Sequence, residues 1–296
     1  MQGIFFGNYF YGLCTIGLSI EAALQQRFPL NSLGYYAAVF CVTILYYTKA
    51  YIQETTFETN NKRLLWYRQH KKFVYASQMF FTILLSVIGV VFIKQFYAEV
   101  LHMPAYHWLL IAVFPSFAAF YYGVEGKTFG AINLRNIGWL KPFIIGFVWG
   151  GLVTVYPVFY YDIIHKVGYQ PTFIGSLLLL KNFMFVTVLC IMFDIKDYAM
   201  DHNQQLKTFV VKVGLRRTIF FILIPLCILG LGTFLAYGFT HNFSTMKILL
   251  NLIPFILLII VAFSMKRRRP ILYYLAIIDG LMLVKALCGS IAMIYF

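Results

Sequence analysis

The sequence predicts an all-α, multi-span membrane protein, a transmembrane helical bundle of about nine helices. Three observations lead there. Apolar types make up 61% of the 296 residues and charged types only 11%, whereas a soluble domain is about half apolar and a quarter charged. The apolar residues fall in long continuous runs, and roughly 20 of them suffice to cross about 30 Å of hydrocarbon. The basic residues collect in alternate connections between those runs, as cytoplasmic loops do.

The expected spans, in order, are roughly 8–25, 33–53, 73–95, 106–123, 139–160, 173–194, 217–238, 245–264 and 271–294. Proline or glycine with polar neighbours separates most of them, as at Pro29-Leu30-Asn31 and Gln170-Pro171. Continuous apolar runs argue for helices, because barrel strands would alternate, and in lipid every backbone donor and acceptor must be satisfied within the span. The chain reads as one domain over 1–296, with possible halves at 1–130 and 131–270 and a ninth helix at 271–296.

Orientation follows from charge. The connections after the second, fourth, sixth and eighth spans carry Lys62, Arg63, Arg68, Lys71 and Lys72, then Lys127, Arg135 and Lys141, then Lys207, Lys212, Arg216 and Arg217, then Lys266 to Arg269. The other side has little beyond Arg27, Lys94, Lys166 and Lys247. This bias puts the N-terminus in the cytoplasm. It also accounts for the formal net charge of +14 without nucleic acid, since no basic stripe lies on a soluble element. The five cysteines form no CxxC pair and read as small buried residues. Lys181 and Lys285 fall inside spans, where long basic side chains can snorkel.

Only ten residues are acidic, and five lie in two clusters: Glu54 with Glu58, and Asp194 with Asp197 and Asp201. Offsets of i, i+3 and i+7 put the three aspartates within about 60° on one helical face. Like charges stacked this way call for a cation, and dense hard oxygen ligands suit Mg²⁺ together with substrate phosphates. Glu54 and Glu58 lie one turn apart, with Lys62 and Arg63 following. Acids to hold metal beside cations to hold phosphate oxygens recur at sites for phosphoryl-bearing ligands. Asp279, an acid inside the ninth span, marks a functional site or a charge partner in the core.

Asp194-Ile-Lys-Asp197-Tyr-Ala-Met-Asp201, followed by Lys207-Thr208 and Val213-Gly214, resembles the second aspartate-rich motif of the UbiA superfamily of membrane prenyltransferases, with Gln205 where that family usually has glycine. The family's first motif falls on Ala50-Tyr51-Ile-Gln-Glu54-Thr-Thr-Phe-Glu58. Both later acids survive there as glutamate, while Ala50 and Tyr51 replace the leading Asn-Asp pair. Tyr121 and Tyr122 with Lys127, the stretch Leu134 to Lys141 running into Trp149, and the segment Tyr273 to Met282 are similar to a bacterial branch.

The resemblance implies nine helices around a cavity whose cytoplasmic mouth holds both motifs. It implies Mg²⁺ bound by Glu54, Glu58, Asp194, Asp197 and Asp201, with the three aspartates catalytic. It implies Arg63, Lys127, Arg135, Lys141 and Lys207 on the diphosphate. The expected activity is Mg²⁺-dependent transfer of an isoprenoid group from a prenyl diphosphate to a lipophilic or aromatic acceptor. It would take place in the cytoplasmic (inner) membrane among membrane lipids, with no nucleic acid involved. A non-catalytic homologue that binds isoprenoid diphosphate or lipid is the alternative, and a transporter is a third reading.

Overall fold

The computed structural model describes residues 2–54, 62–122, 139–168, 172–203, 209–265 and 273–296. For some helical residues, among them Glu54, Asp197 and Asp201, it describes the backbone alone. The described residues form helices and no strands. In chain order these are α1 (Gln2–Phe6), α2 (Tyr9–Gln25), α3 (Leu33–Glu54), α4 (Lys62–Gln69), α5 (Lys71–Leu101), α6 (Ala105–Tyr122), α7 (Lys141–His165), α8 (Phe173–Asn203), α9 (Phe209–Val213), α10 (Leu215–Thr240), α11 (Thr245–Ser264) and α12 (Tyr274–Tyr295).

Each expected span has its helix among these. Six of them, α5, α7, α8, α10, α11 and α12, are long and apolar enough to cross a membrane, and Ala105–Tyr121 forms a shorter apolar helix. Helices α2 and α3 fall outside that set. The 17 residues of α2 rise about 26 Å, short of the hydrocarbon thickness, and α2 buries Thr15, Ser19, Glu21 and Gln25.

The main packing pairs are α7 with α8, α8 with α10, α2 with α12, α11 with α12, and α2 with α3. Their shared core includes Leu18, Phe185, Leu189, Met192, Leu223, Leu258 and Ile278. Helices α7 and α8 approach closely because Gly146 has no Cβ. One built there would lie 2.1 Å from Thr187 Oγ1. Small residues that let backbones approach are the usual means of packing helices in lipid. Helix α5 is the opposite case. Only Val74 is buried along its 31 residues, and its exposed Phe80, Ile83, Val90 and Ile93 suit lipid tails rather than water.

Three helices contain a π-helical turn: Gly151–Val155 in α7, Ile219–Leu223 in α10 and Tyr274–Ile278 at the start of α12. Such turns shift the register of one helix face and cluster at functional sites.

Lys181 and Lys285 do not snorkel. Lys181 is 1% exposed and Lys285 2%, and both donate to the buried carboxylate of Glu21, Lys181 at 3.0 Å to Oε1 and Lys285 to Oε2. Lys181 also donates to Gln25 Oε1 at 2.5 Å, and Gln25 Nε2 donates to Asn251 Oδ1 at 2.8 Å. Snorkelling loses because a partner is present. A buried cation that finds a carboxylate and amide oxygens avoids most of the cost of an unpaired charge.

Candidate functional site

A cavity of about 230 Å³ lies where α2, α3, α4, α7, α8 and α12 converge, and Tyr11, Tyr51, Arg63, Lys141, Asp194 and Asp279 line it. It collects two cations and two acids among aromatic and aliphatic side chains.

Lys141 comes from the first turn of α7, with Pro142 behind it, a residue suited to a helix start. Its Nζ lies 3.2 Å from Asp194 Oδ1, and the Asp194 side chain is 4% exposed. Asp194 comes from α8, which runs unbroken through Asn203. The backbone positions of Asp194, Asp197 and Asp201 therefore do share one helical face. Asp279 follows directly on the π-helical turn of α12, and it is buried.

Arg63 reaches the cavity from α4. Its guanidinium donates to the carbonyls of Phe5 and Phe6 at 3.2 and 3.3 Å and to Asn8 Oδ1 at 2.5 Å. It also lies over the Tyr51 ring, 4.1 Å from the centroid, a favourable cation–π geometry. Tyr67 OH donates to Phe6 O at 2.8 Å. Asn8, in the left-handed region at φ 65°, donates through Nδ2 to Thr48 Oγ1 and Tyr67 OH, both at 3.0 Å. Arg63 therefore fixes α1 as well as lining the cavity. Burial works against its charge, but Tyr51, Tyr11, Tyr67 and Asp279 around it outweigh burial and raise its pKa. Burial also pushes the Tyr67 phenol up to about 12, against the pull of Arg63, so it stays a neutral donor.

Tyr47, Ile145 and Trp149 form a wall shared with a second, larger cavity of about 480 Å³. Trp149 Nε1 donates to Tyr47 OH at 2.6 Å, and Tyr47 stacks on Tyr11 with centroids 4.9 Å apart. The second cavity is a groove lined by α3, α6 and α7. Phe114, Ile144 and Trp149 lie buried in it, while Val42, Pro115 and Ala119 are exposed. Its apolar lining suits a hydrocarbon chain. Pro115 has no N–H for the carbonyl of Ile111, and Tyr156 OH donates to that carbonyl at 2.7 Å instead.

Of the residues expected at the site, Arg63, Lys141 and Asp194 line the one cavity. Glu54, Asp197 and Asp201 lie on described backbone, but their side chains are outside the described set, and Glu58, Lys127, Arg135 and Lys207 lie outside the described residues altogether. Sequence reasoning flagged Asp279 only as an intramembrane acid and did not place it with Asp194. Nor did it pick out Tyr11 or Tyr47, because tyrosines are common in membrane cores and belts.

Among the described residues, no group of three or more His, Cys, Asp or Glu side chains is placed to hold a metal ion. The donors that are present still fit Mg²⁺, which binds through one or two carboxylates and takes its other ligands from water and substrate phosphate. Asp194 and Asp279 are two hard oxygen donors on one cavity wall system, and Lys141 and Arg63 are suited to phosphate.

No family model matches the chain, and no curated protein matches its sequence. A solved structure described as giving structural and mechanistic insights into the biosynthesis of digeranylgeranylglyceryl phosphate synthase in membranes is similar at a TM-score of 0.58 and 16% identity, covering 100% of this chain and 98% of that one. The chain therefore shares, along its whole length, the helical fold of that membrane protein.

Proposed function

We propose that this protein is a membrane prenyltransferase that moves an isoprenoid group from a prenyl diphosphate to a lipophilic acceptor. The observation that carries the reading is the junction of two unlike cavities. A polar one with Lys141, Arg63, Asp194 and Asp279 meets an apolar groove across the Tyr47–Trp149 wall. A ligand with a multiply charged head and a long hydrocarbon tail matches both. The shared fold supports the reading.

In this account Lys141 turns from Asp194 to the diphosphate, and the Arg63 guanidinium adds positive charge on the opposite wall. Asp194, with Asp197 and Asp201 on the same helical face, would hold Mg²⁺. When bound, the ion neutralises charge growing on the leaving diphosphate. Tyr11, Tyr47 and Trp149 surround the junction and keep bulk water from the reacting carbon. The charge bias of the connections supports a cytoplasmic N-terminus and a polar cavity reached from the cytoplasmic side.

Tyr51 supports a second reading, a binder without chemistry. It lines the cavity where the resemblance would place an acid. One experiment bears on both: binding of geranylgeranyl diphosphate to purified protein, with and without Mg²⁺, for wild type and Asp197→Ala. Mg²⁺-dependent binding lost in the variant supports the site, and subsequent turnover with an acceptor excludes the binder. Failure to bind in any condition, with other chain lengths tried, overturns the proposal.

A further inference from the structure

The polar cavity contains an acid that the aspartate-rich segment of α8 does not supply. Asp279 enters from α12, on the residue directly after the π-helical turn Tyr274–Ile278. It is 2% exposed and lines the same 230 Å³ cavity as Asp194, Lys141 and Arg63. Cys190, one turn before Asp194, lines the same cavity as both acids. Helix α3 brings an aromatic ring, Tyr51, to this cavity, and that ring is occupied under Arg63.

We infer that Asp279 is a metal-binding residue: together with Asp194 it forms a two-carboxylate seat for a divalent cation that arrives with a diphosphate. The inference rests on the proposed function and adds a ligand from a helix outside both acidic segments. The chemistry is that of Mg²⁺, which dehydrates reluctantly and accepts one or two carboxylates plus phosphate oxygens rather than a full protein cage. A seat of two carboxylates flanked by Lys141 and Arg63 repels a bare divalent cation more than a metal–diphosphate complex, whose net charge is negative. Tight binding is thus expected only when metal and diphosphate are both present. The π-helical turn has a role in this account, since it sets the register that turns position 279 toward α8 rather than toward lipid.

The test uses the purified full chain in detergent with Mn²⁺ as a spectroscopic stand-in for Mg²⁺ and inorganic pyrophosphate as the probe, read by electron paramagnetic resonance. Wild type is expected to immobilise Mn²⁺ strongly with pyrophosphate and weakly without it. Asp279→Asn, checked for folding by its thermal transition, is expected to weaken the ternary complex at least tenfold, and Asp279→Glu to recover most of it. Wild-type strength in a folded Asp279→Asn would leave Asp279 as a charge partner of Arg63 and overturn the inference while the proposed function stands. If Asp279→Asn does not fold, Asp279→Glu decides: a ternary complex as weak as with Mn²⁺ alone overturns the inference, and near wild-type strength supports it. No ternary complex in wild type overturns both.

Discussion

The buried charges of α2, α8 and α12 give the sharpest test of the packing. Glu21 is fully buried and receives Lys181 at 3.0 Å and Lys285 on its other oxygen. Two ammonium groups therefore share one carboxylate. Glu21→Gln keeps the shape, including the fit of the side chain over Gly289, where a Cβ would lie 2.4 Å from Glu21 Cγ. It removes the carboxylate to which both lysines donate. Losing one member of a buried pair costs about 3–5 kcal/mol. At roughly 2–4 °C per kcal/mol for a chain of about this size, the thermal transition should fall by about 10 °C, measured by fluorescence-detected size exclusion in detergent. Lys285→Met runs the other way in charge: it leaves Glu21 and Lys181 as a neutral pair, so its loss should be the smaller of the two. Combined with Glu21→Gln, it should recover part of the stability. A transition within about 2 °C of wild type for Glu21→Gln would refute the reasoning, since the lysines would then not depend on that carboxylate.

Other outcomes follow from single contacts. Gly146→Ala places a methyl 2.1 Å from Thr187 Oγ1 and 3.0 Å from the Phe183 carbonyl; forcing α7 from α8 should cost about 1–3 kcal/mol, read as a lower thermal transition. Arg63→Lys cannot reproduce the bonds to Phe5, Phe6 and Asn8, and proteolysis at α1 should become faster than in wild type. Lys141→Ala removes the ammonium next to Asp194; a lost charge-assisted contact of about 1.5–3 kcal/mol should weaken prenyl diphosphate binding by roughly ten- to a hundredfold in calorimetry.

What the sequence reveals here divides by range. The helices at the nine expected spans, six of them long and apolar enough to cross a membrane, follow from local apolar runs, and the shared face of Asp194, Asp197 and Asp201 follows from helical spacing on α8. Helix ends are less legible. The third expected span stops near 95; α5 kinks there, with Phe96 at φ −122° and ψ 25°, and the short helical stretch beyond it to Leu101 is what the apolar run does not mark. Contacts between distant segments are not legible at all. Glu21 is 160 residues from Lys181 and 264 from Lys285, and no local pattern links them, so each lysine taken alone reads as one that snorkels. Trp149 and Tyr47, 102 residues apart, look like ordinary membrane aromatics until the fold makes them the wall between two cavities. The π-helical turn before Asp279 carries no motif, yet it helps set which way that acid faces.

The central claim is that one ligand places its charged head in the polar cavity and its tail in the groove. The most direct measurement compares the affinities of inorganic pyrophosphate and geranylgeranyl diphosphate, with Mg²⁺, for wild type, Asp194→Asn and Val148→Trp. Asp194 lines only the polar cavity and Val148 only the groove. The account predicts that Asp194→Asn weakens both ligands, and that Val148→Trp leaves pyrophosphate unchanged while removing the affinity added by the tail. Equal affinity of wild type for the two ligands, or a Val148→Trp variant that binds geranylgeranyl diphosphate as wild type does, would contradict it.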